Sequence, residues 1–288
     1  MTRLAIIGFG EVGQRLAQDL SSRPDLTITV WDRLFIEPDS TPGRAAERMT
    51  VQKAPALGDA VDNATHVISA VTAAEAIPVA MEAGPLLSPG VWYLDVNSIS
   101  PSSRASAAAA VQLHGARYIE AAVMSPIEPH GCNSPILLGG PHASAFPVQD
   151  LGLGNARVYD SRLGTASAAK LCRSVVIKGL EALMTESLCA ARHYGVETTV
   201  LESFRHLFAH PDISEFARYL ITRSLQHGTR RADEMEEAAG TVRDAGLAPW
   251  LAEATAARQR WSGERQQTAS RTLSLSELLD ATRLETPC

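Results

Sequence analysis

The sequence has few cysteines, no long apolar run, no surplus of positive charge and no internal repeat, and each absence excludes a class of protein. The four cysteines, Cys132, Cys172, Cys189 and Cys288, form no C-x-x-C pair. They read as free thiols of a reducing cytoplasm rather than as a disulfide framework. The most apolar stretches, LAIIGFG and THVISAV, are short and interrupted, so no membrane span is expected. The opening MTRLAII runs straight into a strand-like segment, so no signal peptide is expected either. Lys and Arg number 26 against 32 Asp and Glu, a net charge of −6, which removes any general reason to expect nucleic acid as a partner. What remains is an ordinary globular composition, 45% hydrophobic and 20% charged, in 288 residues. That length suits one large domain or two modest ones.

The most informative stretch is GFGEVG at residues 8–13. A lone G-x-G-x-x-G is weak evidence for a dinucleotide site; its context decides. Here it follows RLAII, a β-rich run, and precedes EVGQRLAQDLSSR, with Val12, Leu16 and Leu20 on one helical face. LTITVWD then reads as a second strand ending at Asp32. In that frame Gly8 permits the tight turn, Gly10 lets backbone approach a pyrophosphate, and Gly13 lets the helix pack on the strand. Phe9, Glu11 and Val12 complete the cofactor loop. Asp32, nineteen residues after Gly13, is placed to accept from the ribose hydroxyls and to repel a 2′-phosphate. Arg33, next along the strand end, is expected to point away, so NAD is favoured over NADP.

The alternation continues through HVISAV (66–71), VWYLDVNS (91–98), RYIEAAVM (117–124) and PILLGG (135–140). Ligands of an open parallel sheet sit beyond the carboxyl ends of its strands. Val71, Thr72, Asn97, Ser98 and the loop after Met124 are therefore candidates by position. After residue 161 the pattern is helical: one helix over about 165–193 with Gly195 as its stop, then helices near 197–208, 212–226, 229–245 and 248–262. Residues 265–288 form a polar tail with a possible short helix in SELLDATR. The expected architecture is an α/β Rossmann domain (1–161), an all-α domain (162–264) reached through a long interdomain helix, and the tail. On that helix Lys170, Ser174 and Lys178 are spaced by four, with Arg173 and Ile177 beside them. A lysine in a cleft between domains is suited to acid–base work, and neighbouring cations are suited to an anionic substrate.

These segments, GFGEVGQRLA, LDVNSISP, EAAVMSPIEPHGCNSPILLGG and GTASAAKLCRSVVIKG, stand in the order of the β-hydroxyacid and 6-phosphogluconate dehydrogenase superfamily, which the chain resembles over about residues 3–260. The second half resembles the branch with a phosphogluconate dehydrogenase-like C-terminal domain of unknown function. The resemblance implies a helical domain that dimerises, and reversible oxidation of a hydroxyl β to a carboxylate by NAD or NADP. The family's catalytic lysine falls on Lys170, and its substrate-binding segment on Asn97 and Ser98. Departures accompany the match. The loop D-A-P-V-S-G-G reads EAAVMSP from Glu120, so the glycine-rich loop is replaced and Met124, Ser125 and Pro126 line its place. Ser174 replaces an asparagine. Ile177 replaces the acid of phosphogluconate dehydrogenases, which argues against phosphogluconate as substrate. Lys178 stands where those enzymes contact phosphate.

The function expected is hydride transfer between a nicotinamide and a small anionic β-hydroxyacid or its keto or semialdehyde form, with Lys170 as general acid/base. Asn97, Ser98, Met124, Ser125, Arg173, Ser174 and Lys178 are expected at the substrate. Imine reduction is a rival, disfavoured by Lys170, and a sensor that binds a dinucleotide without turnover is another. His130 and Cys132 read as a loop histidine and a free thiol, not as metal ligands. His227, with Arg230 and Arg231, reads as a solvated basic helix start, the alternative being that it reaches the cleft from the helical domain.

Overall fold

The computed structural model describes residues 1–207, 212–268 and 272–283. It divides into two compact units, Met1–Val175 and Val176–Cys288. The first is an α/β unit. Its strands are β1 (Thr2–Ile7), β2 (Leu26–Trp31), β3 (Gln52–Lys53), β4 (His66–Ser69), β5 (Trp92–Asp95), β6 (Arg117–Val123), β7 (Ile136–Gly139) and β8 (Ala156–Asp160). Its helices are α1 (Glu11–Leu20), α2 (Thr41–Glu47), α3 (Leu57–Val61), α4 (Ala76–Ala83), α5 (Pro101–Gln112) and the first part of α6 (Thr165–His193).

One sheet runs in the order β3-β2-β1-β4-β5-β6-β7-β8. It is parallel from β3 to β6; β7 runs antiparallel to β6, and β8 parallel to β7. β3 and β8 are additional to the strands expected from the sequence. β3 is two exposed residues, and β8 is exposed along most of its length, so neither carries the apolar run that betrays a buried strand. The central strands do carry it. Leu4, Ile6, Ile28, Val30, Ile68, Leu94 and Ile119 build one core, and Ala5, Ile7, Val67, Tyr93 and Tyr118 belong to the other. Alternate residues of a strand face opposite sides, so these two sets bury opposite faces of one sheet, which is doubly wound. Between β1 and β4 the chain order reverses, and the strand ends diverge there into a crevice.

The second unit continues α6 and adds α7 (Glu197–Leu207), α8 (Ile213–Asp244), α9 (Trp250–Gly263) and α10 (Leu275–Arg283). Gly195, with φ +69°, follows the end of α6, and the Val196 N–H donates back to the Ala191 carbonyl at 3.0 Å. That is a glycine stop of the usual kind. The two helices expected over 212–226 and 229–245 are one helix, α8. The reason lies at Gly228. A Cβ there would sit 2.2 Å from the Gln259 carbonyl oxygen and 2.4 Å from the Gly263 nitrogen. Gly228 and Gly263 are where α8 and α9 touch backbone to backbone, so the glycine serves packing and not a break. Among the described residues no helix is long and apolar enough to cross a membrane.

Candidate active site

The glycine turn sits at the crevice. Gly8 has φ +91°, and a Cβ on it would meet the Ala70 carbonyl oxygen at 2.5 Å. A Cβ on Gly13 would lie 2.1 Å from the Gly8 carbonyl oxygen. Both glycines are thus required by protein packing alone. Gly10 is different: a Cβ there meets no atom within 4 Å. It is the N-cap of α1 with no side-chain cap, so its smooth backbone and the first amides of the helix are left to something the pocket receives. A pyrophosphate fits that description. Gly10→Ala is therefore expected to leave thermal stability unchanged and to weaken dinucleotide binding at least about tenfold, while Gly13→Ala costs roughly 1–3 kcal/mol of stability through overpacking. Calorimetric melting and titration of both variants check this. Equal melting temperatures would contradict the division of roles.

The turn lines a cavity of about 560 Å³. Gly8, Phe9, Gly10, Glu11, Val12, Asp32, Arg33, Val71 and Thr72 all line it. Gly13 is buried behind them. Asp32 is held by backbone: Oδ2 accepts from the Phe9 N–H at 2.7 Å, and Oδ1 from the Leu34 N–H at 2.9 Å. Arg33 does not point away. It lines the same cavity and pairs with Glu75, Nη1 to Oε1 at 2.5 Å. A short 3-10 turn (Arg33–Ile36) begins at Asp32 and carries Arg33 round to the cavity. Gln14, Trp31, Glu75 and Glu82 also line it. Gln14 and Trp31 adjoin the glycine motif and Asp32 in the chain, whereas nothing local marks Glu75 and Glu82, which the pairing of β4 beside β1 brings there.

The other candidates do not line this cavity. Asn97 is buried with its amide engaged: Oδ1 accepts from the Val71 N–H at 2.7 Å, and Nδ2 donates to Ser69 Oγ at 3.0 Å. It staples the ends of β4 and β5 together. Ser98 beside it is exposed. Met124 packs against Ala122, Leu137 and Ala166, with Ala169 alongside, and so rests on the first turns of α6. Ser125 Oγ donates to the Pro126 carbonyl at 3.0 Å. On α6, Lys170 and Ser174 are half-buried and Arg173 is exposed. The backbone of Lys178 continues that helix, while its side chain lies outside what the structure describes.

The start of α6 is set by a buried polar network that the sequence did not announce. Glu120 accepts from the Gly164 N–H at 2.7 Å and from the Ser167 N–H, which caps the helix with a carboxylate. Arg104, fully buried, pairs with Asp95 at 2.7 Å. It also donates to the Asp95 carbonyl at 2.8 Å, to Tyr118 Oη at 3.2 Å, to Ser167 Oγ at 2.8 Å and to the Asn97 carbonyl. Tyr118 donates in turn to Asp95 Oδ2 at 2.6 Å. Burial works against the Arg104 charge, but Asp95, Tyr118 and Glu120 outweigh it and hold its pKa above the ordinary value. Burial pushes the Tyr118 hydroxyl up as well. Gly139 leaves room for the cap, since a Cβ on it would lie 2.6 Å from Glu120 Oε2. The one signal was Glu120 itself, an acid inside the buried run YIEAAV.

His130 is exposed, whereas Cys132 is buried, its N–H donating to Asp19 Oδ2 at 2.8 Å. Burial, with Asp19 beside it, pushes the Cys132 thiol up to about 12. Among the described residues no group of three or more His, Cys, Asp or Glu is placed to hold a metal. In the second unit His227 and Arg230 are exposed and Arg231 is half-buried.

Comparison with known proteins agrees with this geometry. Residues 3–146 match the NAD binding domain of 6-phosphogluconate dehydrogenase, and residues 191–262 match a domain of unknown function, DUF1932. A conserved hypothetical protein from Sinorhizobium meliloti 1021 is 31% identical, with 98% of this chain and 96% of that one covered and a TM-score of 0.59. A conserved protein of unknown function, described as structurally similar to 3-hydroxyacid dehydrogenases, is 28% identical over 90% of this chain and 97% of its own, with a TM-score of 0.56. An imine reductase from Myxococcus stipitatus, in complex with NADP+, shares the fold at 17% identity, with 97% of this chain and 100% of that one covered and a TM-score of 0.73. The chain thus belongs to the NAD-binding dehydrogenase family of 6-phosphogluconate dehydrogenase, in the branch whose second domain is DUF1932.

Proposed function

We propose that the protein transfers a hydride between a nicotinamide dinucleotide and a small anionic β-hydroxyacid, or its keto or semialdehyde form, with Lys170 as general acid/base. The observation that carries the reading is the cavity at the crevice, with Gly10 open to it and Asp32 held by two backbone amides. The coenzyme supplies or accepts the hydride. Gly10 and the amides of α1 hold its pyrophosphate, and Asp32 accepts from its ribose. Lys170 takes the hydroxyl proton during oxidation and returns it during reduction. Ser98, Ser125 and Ser174 orient the substrate by hydrogen bonds, and Met124 shapes its apolar side. Arg173 and Lys178 attract its anionic group.

The use of lysine on α6 supports this reading. Of 26 Lys and Arg residues, only Lys53, Lys170 and Lys178 are lysine. Arginine stays protonated and cannot serve as a base, whereas lysine can. A sequence that prefers arginine so strongly and keeps lysine at 170 is consistent with a proton to be moved there.

A panel of β-hydroxyacids, the matching semialdehydes or keto acids, their neutral amides or esters, and cyclic imines tests the proposal. Turnover is expected on the acids and to fall on the neutral analogues. Equal turnover on acid and amide would remove the role of Arg173 and Lys178; preference for cyclic imines would favour the imine reductase reading.

The second unit is proposed to pair with a second copy of itself. Leu183, Tyr194, Val196, Leu201, Tyr219 and Leu220 are all exposed in the single chain, apolar surface of the kind that pairing would cover. Light scattering at micromolar concentration is expected to give twice the chain mass; a monomer mass would contradict the pairing.

A further inference from the structure

The cavity's charges divide unevenly. Glu11, Asp32, Glu75 and Glu82 line it, and Arg33 is its one lysine or arginine among the described residues. Asp32 is fixed through both carboxylate oxygens to the Phe9 and Leu34 amides, so it is not turned toward Arg33 by an ion pair. Glu75 is the side chain that engages Arg33, at 2.5 Å. The two come from different strands. Arg33 follows β2, and Glu75 ends the turn after β4, with β1 and its glycine turn between them. The pair therefore bridges the crevice at the reversal of strand order.

An arginine just after the ribose-binding acid is a ready partner for a 2′-phosphate. Here its charge is already matched. A 2′-phosphate arriving at Arg33 must displace Glu75 and then lie near two carboxylates, Glu75 and Asp32. A 2′-hydroxyl meets neither obstacle, because Asp32 accepts its proton and Arg33 is not needed. We infer that Glu75 is a selectivity-determining positioning residue: by holding Arg33 across the crevice it disfavours NADP(H) and favours NAD(H). The inference rests on the dinucleotide reading above. It adds a residue that acts on coenzyme choice chiefly through Arg33.

Calorimetric titration with NADH and with NADPH, on the wild type, Glu75→Ala, Arg33→Ala and the double variant, tests it. The wild type is expected to bind NADH more tightly. Because the Arg33 side chain is 63% exposed, screening limits the effect. Glu75→Ala is expected to lower the ratio of NADPH to NADH dissociation constants about tenfold. In the Arg33→Ala background the same substitution is expected to change that ratio less than about threefold. An unchanged ratio in Glu75→Ala overturns the inference, as does a wild type that prefers NADPH. An equal fall with and without Arg33 overturns it too, since Glu75 would then act as a bare charge. A wild type that binds neither coenzyme overturns the dinucleotide reading itself, and the inference with it.

Discussion

Lys170→Ala is expected to lose turnover by roughly 10²–10⁴-fold while the dissociation constant for the coenzyme stays within about threefold of wild type. The split follows from geography. The coenzyme cavity is lined from the glycine turn, the ends of β2 and β4, and α4, and Lys170 does not line it. Lys170 stands instead on α6, about one and a half turns from the helix start that Glu120 caps. Its proposed task is one proton per turnover, which alanine cannot take or return. Lys170→Arg separates proton transfer from charge. Arginine keeps the cation but does not release a proton in a protein, so the variant is expected to be as impaired as the alanine form. Activity near wild type in the arginine variant would reduce Lys170 to an electrostatic anchor. Activity near wild type in the alanine variant would falsify its place in the mechanism.

Arg104→Met is expected to destabilise the first unit by about 3–5 kcal/mol, the usual consequence of removing one partner of a buried ion pair. Arg104 satisfies the Asp95 carboxylate, two carbonyls, the Tyr118 hydroxyl and the Ser167 hydroxyl within a volume closed to water. Methionine fills much of the space but donates to none of them. Asp95 keeps the Tyr118 hydroxyl and the Asn97 N–H, so its charge is only partly compensated. A loss of that size lowers the melting temperature by roughly 6–20 °C in a protein of this length. Differential scanning calorimetry checks it, and a fall of less than 2 °C would show that water or a rearranged side chain replaces the guanidinium at little cost. Because Ser167 lies on α6 just before Lys170, a folded Arg104→Met protein is also expected to lose turnover beyond what its stability explains.

Legibility followed range. The glycine turn, α1, β2 and Asp32 lie within the first 32 residues and are joined by local rules: a strand period, a helix period and a turn that only glycine permits. The central strands were legible because both of their faces are buried, which demands uninterrupted apolar runs. α6 was legible to its last residue because its periodicity is long and Gly195 ends it. β3 and β8 were not, since a strand at the sheet's edge needs little apolar sequence when its partner supplies half of the hydrogen bonds. The single α8 was missed because glycine has two uses, and sequence alone does not say whether it breaks a helix or lets a second helix approach.

For the site, the sequence by itself determined the glycine turn at the start of α1, since the residues that build it are neighbours in the chain. Only the tertiary structure decided what surrounds the turn. It brought Glu75 to Arg33 across β1, turned the Asn97 amide inward onto Val71 and Ser69, and made Glu120 the cap of a helix that begins 45 residues later at Thr165. Each of these is a polar contact between segments far apart in sequence. A hydrogen bond or ion pair depends on distances of a few ångströms and on burial, and neither is encoded in spacing along the chain.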